Sequence, residues 1–147
     1  MIPTLVSFDY NHPGYSEIAR KIRYAVFVVE QKVPEDLEYD AFESTSRLYL
    51  VFIGDTAVAT CRRRYTTKGV KLERFAVLPA FRGKGLGDFM VQEVLKEVLP
   101  EGRTVYLHAQ EQVTGFYTKL GFRVYGEEFE EAGIRHFLMN YEVNHGQ

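Results

Sequence analysis

The run LERFAVLPAFRGKGLGDFMV, from Leu72 to Val91, holds the residues whose types and spacing point most directly to chemistry. An apolar strand passes Pro79 into a turn where Gly83, Gly85 and Gly87 alternate with Lys84 and Leu86 behind Arg82, and a helix is expected to start there. Glycine lets a backbone approach a ligand closely. The first N–H groups of a helix lack intrahelical partners and sit at the positive end of its dipole. Such a junction holds an anion, a phosphate above all.

Two common phosphate loops do not match. A Walker loop needs Gly, four residues, Gly, Lys and Ser or Thr, whereas Gly87 here is followed by Asp88 and Phe89. A dinucleotide fingerprint would need glycine at position 88, and no acidic residue follows on a second strand about twenty residues later. The turn does read R-x-x-G-x-G from Arg82 to Gly87 after an Ala76-Val77-x-Pro79 strand end. It resembles the coenzyme A pyrophosphate loop of the GNAT superfamily of N-acetyltransferases. Downstream, FYTKLGF at Phe116–Phe122, preceded by the strand YLHAQ, is similar to the segment that closes the GNAT core. The superfamily often has Asn seven residues before the Tyr, and here that position is Gln110. VFVVEQKVPEDLEYD after the first helix and AGIRHFLMNY near the end resemble a small bacterial GNAT group called YjcF-like and ElaA-like.

The resemblance implies acetyl-CoA as acetyl donor and direct transfer to an amine. The implied donor-binding set is Phe75, Ala76, Val77 and Leu78 on the strand, then Arg82, Gly83, Lys84, Gly85, Leu86, Gly87 and Asp88 in the turn, with Gln110 and Tyr117 beyond. In the superfamily this strand bulges, backbone groups around Ala76 to Leu78 take the pantetheine like an added strand, and the Val77 N–H polarises the thioester carbonyl. Tyr117 matches the family's proposed acid, the alternative being a core aromatic of a short helix. For the base, His136 is the first candidate, because an imidazole titrates near neutral pH and because a related group uses a His in a similar C-terminal strand. Glu73, on the strand that ends at the bulge, is the second, with a surface or ion-paired Glu as its plain reading. His108 is a third, while His12 and His145 look like exposed loop and tail residues. No His, Cys and carboxylate spacing suggests a metal site.

The composition narrows the partners. A chain of 147 residues is expected to form one domain burying about two-thirds of its unfolded surface. A net charge of −2 provides no field to draw nucleic acid or an anionic membrane, so a small molecule is the expected partner, an amine by the resemblance. One cysteine, Cys61, cannot form an internal disulfide, and no signal-peptide pattern or long apolar run is evident, so a cytoplasmic setting is expected. Homodimers are the superfamily's habit. Two other readings stay open: a protein lysine or N-terminal amine as acceptor, and an acyl-CoA-binding module without chemistry.

The elements that must position these residues follow from periodicity. A short strand at Leu5–Phe8 precedes a helix from about Tyr15 to Glu30, whose Ile18, Ile22, Ala25, Val26 and Val29 form one stripe. Glu17, Arg20, Lys21 and Arg23 lie off it and suggest a solvated face. Lys32 to Ser46 is the most acidic part, either a solvated loop or a substrate-facing segment whose carboxylates attract a cationic amine. Arg47–Ile53 and Thr56–Tyr65 form a hairpin in which Arg62, Arg63 and Arg64 suggest a solvated edge with one inward ion pair. Val70–Leu78 leads into the glycine turn, a helix spans Gly85–Leu99, and Thr104–Ala109 is a strand. A short helix at Gln112–Leu120, a strand from Phe122 to Tyr125 and a last strand at Arg135–Tyr141 complete the order. The expected class is α+β, the GNAT (acyl-CoA N-acyltransferase) fold, with a mixed, mostly antiparallel sheet flanked by helices.

Overall fold

The computed structural model describes residues 2–142, so His145 lies outside the described residues. Seven strands form a single sheet: β1 (Pro3–Asp9), β2 (Arg47–Ile53), β3 (Thr56–Thr66), β4 (Gly69–Val77), β5 (Val105–Gln110), β6 (Phe122–Glu131) and β7 (Ile134–Tyr141). Their order across the sheet is β1-β2-β3-β4-β5-β7-β6, antiparallel except for the β4–β5 pair. Four α-helices accompany them: α1 (Pro13–Arg23), α2 (Glu35–Glu38), α3 (Leu86–Val98) and α4 (Thr114–Lys119).

Strand alternation divides the core between the two faces of the sheet. Leu48 and Leu50 of β2 pack with Ala19, Ile22 and Val26 on one face. Tyr49 and Val51 face the other way, onto Met90, Val94 and Val98 of α3. This fits the expected layering of a mixed sheet between helices.

The feature that matters for function is how β4 and β5 part. They pair only at Val70↔Val105 and Lys71↔Tyr106, after which the strands diverge. β4 also carries one residue more than β3 between Ala76 and Glu73, which face Thr60 and Arg62. The extra residue forms a bulge, and Arg74 there adopts φ 60°, in the left-handed region uncommon for a side chain of this size. The bulge anticipated on this strand thus sits at Arg74, just past Lys71, where the pairing with β5 ends.

Three elements differ from the periodicity reading. The first helix is α-helical only to Arg23, and Tyr24–Glu30 continues as a π-helix. Three β-branched residues in this stretch, Val26, Val28 and Val29, crowd a tight helical turn, and the wider turn relieves them. β6 runs to Glu131 rather than stopping at Tyr125, because the Glu-rich stretch pairs with β7 past an irregularity between Tyr125 and Phe129. The acidic segment contains α2 and folds inward, with Glu38 and Glu43 buried.

Candidate active site

The glycine turn is built as an anion cradle. Gly83 and Gly85 both have φ 77°, a backbone state that side chains resist, and the space beside each is open. Gly85 is the N-cap of α3 and no side chain caps the helix, so the first N–H groups after it are available to a ligand. Gly87 sits beside the Phe116 ring of α4, where a Cβ would make an ordinary contact at 3.4 Å. These features suit a pyrophosphate.

Arg82 has a second task. Its Nη atoms donate to both Glu30 oxygens at 2.6 Å, and its Nε donates to the Val77 carbonyl at 2.9 Å. It therefore ties the end of the π-helix to the end of β4, and Lys84 is left as the cation of the turn.

On β4 the backbone groups alternate. Leu78 N–H donates to Val58 and the Leu78 carbonyl accepts from Phe81, so neither can take a ligand in this arrangement. Ala76 has the same parity as Leu78, faces Thr60 across the β3 pair and is buried in the α1-side core. By the same alternation the Val77 N–H points to the other edge, into the gap that opens between β4 and β5. Of the three expected backbone positions, only Val77 keeps a donor on the open side.

The gap widens into a cavity of about 520 Å³ reached by Phe75, Gln110, Tyr117, Glu73, His108 and His136. Tyr117 packs against Phe75, Phe116 and Phe122. Burial pushes its phenol well above the ordinary range, with the buried Cys61 a minor contributor, so the hydroxyl keeps its proton at neutral pH. Gln110 lies opposite His136 on the β5–β7 pair and accepts from Gln112 through its side-chain oxygen.

His136 is buried, with its side chain 9% exposed. Its Nδ1 is 2.8 Å from the carbonyl of Ile134, which can only accept, so Nδ1 carries the hydrogen and the neutral ring presents its lone pair at Nε2. His108 Nδ1 is 3.0 Å from Glu131 Oε1, and the other oxygen, Oε2, is 3.8 Å from His136 Nε2. The hydrogen bond from His108 holds the Glu131 carboxyl below its usual range despite partial burial.

Glu73 is placed differently from a free base. Its carboxylate meets Arg62 at 2.5 Å, Arg64 at 2.9 Å and Lys71 at 3.2 Å. Burial alone would raise its pKa, but Arg62, Lys71, Arg74 and Arg64 outweigh that and bring it down to about 2. Such a carboxylate has little affinity for a proton at neutral pH.

Glu73 belongs to an ion network that periodicity did not reveal. Arg62 is 1% exposed and also binds Asp40 and Glu43. Arg23, buried rather than solvated, holds Glu38 at 2.5 Å and Glu43 at 2.8 Å. Arg74, at the bulge, reaches Glu38 and Asp40. The solvated reading of the acidic segment holds for Glu35 and Asp36, which are exposed, but Glu38, Asp40 and Glu43 are neither solvated nor free to attract an amine, because arginines from α1, β3 and β4 neutralise them. The inward ion pair expected in the Arg62–Arg64 run is at Arg62, which binds several carboxylates at the centre of the network, while Arg63 and Arg64 are half-buried. Glu131, Lys71 and Arg74 were not singled out in sequence; for Glu131, the hairpin register around Gly133 was the available signal.

Comparison with known proteins now bears on the geometry. Residues 10–143 match the acetyltransferase (GNAT) domain. The chain belongs to the GNAT acetyltransferase family. It is 41% identical over 133 residues to YyaT of Bacillus subtilis, an alignment covering 86% of this chain and 88% of that one. It is 38% identical over 120 residues to the N-acetyltransferase YjcF of the same organism, covering 80% and 86%. The crystal structure of Escherichia coli ElaA superposes with a TM-score of 0.84 at 27% identity, covering 96% of this chain and 100% of that chain. The GNAT assignment and the kinship with YjcF and ElaA expected from the motifs are borne out.

As in other GNAT acetyltransferases, the chemistry expected is acyl transfer, a transferase reaction. No group of His, Cys, Asp and Glu able to hold a metal occurs among the described residues. Nor is any helix among them long and apolar enough to cross a membrane.

Proposed function

We propose that this GNAT acetyltransferase takes acetyl-CoA as donor and transfers the acetyl group directly to the primary amine of a small molecule. The observation that carries the reading is the parting of β4 and β5, which opens a cavity lined by both strands together with Tyr117 and His136. The turn and α3 start would hold the pyrophosphate, and the open edge of β4 would pair with the pantetheine arm. Acetyl-CoA, when bound, supplies an activated thioester carbon.

The residues then divide the work. His136 Nε2 takes the first proton from the acceptor ammonium, giving the neutral amine that forms the C–N bond. The Val77 N–H donates to the carbonyl oxygen as negative charge builds there. Tyr117 donates its proton to the sulfur as the C–S bond breaks, and recovers one from the new amide nitrogen. His136 returns its proton to solvent. One ammonium and one thioester thereby become one amide, one thiol and one released proton. Glu73, held ionised by its cations, supports the strand rather than moving the proton.

The test is release of free thiol from acetyl-CoA with a panel of primary amines, run on the wild-type chain and on His136→Gln. Amine-dependent release, lowered at least a hundredfold in the variant, is expected. Donor hydrolysis without any amine dependence would overturn the reading.

A further inference from the structure

The charged groups lining the cavity are matched one to another with a single exception. Arg64 and Lys71 each lie within 3.2 Å of Glu73, and Arg74 lies within 3.2 Å of Glu38 and Asp40. An anionic group on a substrate would find none of these three cations without a carboxylate partner. Among the lining carboxylates, Glu131 alone makes no salt bridge to an Arg or Lys; its direct partners are imidazoles, Lys71 acts on it only at longer range, and its side chain is 46% exposed.

Its geometry suits an ammonium. Glu131 Oε2 and His136 Nε2 are both acceptors when the ring is neutral, and they stand 3.8 Å apart, too far to bond each other. One nitrogen can lie about 2.8 Å from both and donate to each. His108, bonded to Oε1, keeps the carboxylate turned toward that point. Around the same mouth, Phe27, Val33, Leu37 and Ile134 present apolar surface.

We propose that Glu131 Oε2 and His136 Nε2 form a two-point receptor for the acceptor's ammonium, and that the acceptor is a monocationic primary amine with an apolar body and no carboxylate. This rests on the transfer reaction proposed above and adds the class of acceptor and a binding residue, Glu131. The carboxylate holds the charged amine and the imidazole beside it removes the proton. An amino acid would bring its carboxylate beside Glu131, with every nearby Arg and Lys already engaged, and like charges at that separation repel.

The experiment compares 2-phenylethylamine and hexylamine with their carboxylate-bearing counterparts, phenylalanine and 2-aminoheptanoic acid. Wild-type chain, Glu131→Gln and the exposed control Glu127→Gln are used, with thermal melts confirming that each is folded. At least one simple amine is expected to exceed its counterpart tenfold or more in kcat/KM. Glu131→Gln should raise its KM at least tenfold while the KM for acetyl-CoA changes less than twofold, and Glu127→Gln should do neither. Equal use of the amino acids, or an unchanged amine KM in Glu131→Gln, overturns the assignment. Calorimetric titration of the two amines needs no turnover and separates the two claims. Binding that depends on Glu131 without any transfer would overturn only the proposed reaction, and transfer with Glu131-independent binding would overturn only the receptor.

Discussion

Replacing Glu73 by Gln distinguishes a catalytic carboxylate from a structural one. The side chain is 9% exposed and is shared by Arg62, Arg64 and Lys71, so the amide would keep the volume, remove the charge and turn an N–H2 group toward cations. Removing one partner from a buried ionic cluster typically costs about 3–5 kcal/mol. The electrostatics give a similar figure: a carboxyl brought from 4.5 to about 2 in the folded state contributes about 3 kcal/mol at neutral pH. Unfolding entropy near 2.1 cal/mol/K per residue makes roughly 0.3 kcal/mol/K for a chain of this length, so Tm should fall by about 10 °C. The assay is a thermal melt followed by circular dichroism, with kcat measured well below the variant's Tm. A general base would show the opposite pattern, a loss of about 10²–10⁴ in kcat with stability intact. A Tm change under 3 °C together with a hundredfold loss of kcat would refute the structural assignment.

Acid should probe the same network. Asp40 and Glu73 both sit at about 2 because the arginines outweigh their burial, so between roughly pH 4.5 and 2 the unfolded chain binds more protons than the folded one. Their contribution is complete above that window and is lost as pH falls through it; urea midpoints measured from pH 6 to 2.5 should drop, and a flat profile would contradict the pairing. Gly85→Val places a β-branched residue at φ 77°, and calorimetry should show acetyl-CoA binding weakened at least tenfold, although the space beside Gly85 is open; undiminished affinity would remove the turn from the donor site. Tyr117→Phe keeps the aromatic packing and deletes the hydroxyl, so kcat should fall at least tenfold with the KM for acetyl-CoA nearly unchanged; equal turnover would show that another group protonates the sulfur.

Much of the frame was legible because its signals are local. The glycine turn, the start of α3 and the strand feeding them follow from residue types a few positions apart, and the FYTKLGF segment marks α4 by the same kind of pattern. Helical periodicity placed α1 but not its change to a π-helix, since crowding among Val26, Val28 and Val29 depends on the turn they adopt. Arg23 was misread, and the number of partners Arg62 gathers was missed, for a related reason. Periodicity and composition assign a charge to solvent unless its partner is near in sequence, and here the partners lie 11 to 22 residues away on other elements.

The sequence alone indicated an anion site, because an anion cradle is made of backbone and needs only glycines and a helix start in the right order, and it indicated the reaction family through the resemblance of Arg82–Gly87 and Phe116–Phe122 to GNAT segments. The acceptor side was decided by tertiary structure. β4 leaves β5 after Lys71, the β6–β7 hairpin brings Glu131 beside His136, and arginines from three elements neutralise Glu38, Asp40 and Glu43. A lone pair or a charge acts only on what lies within a few ångströms, and which groups come that close depends on contacts between distant parts of the chain.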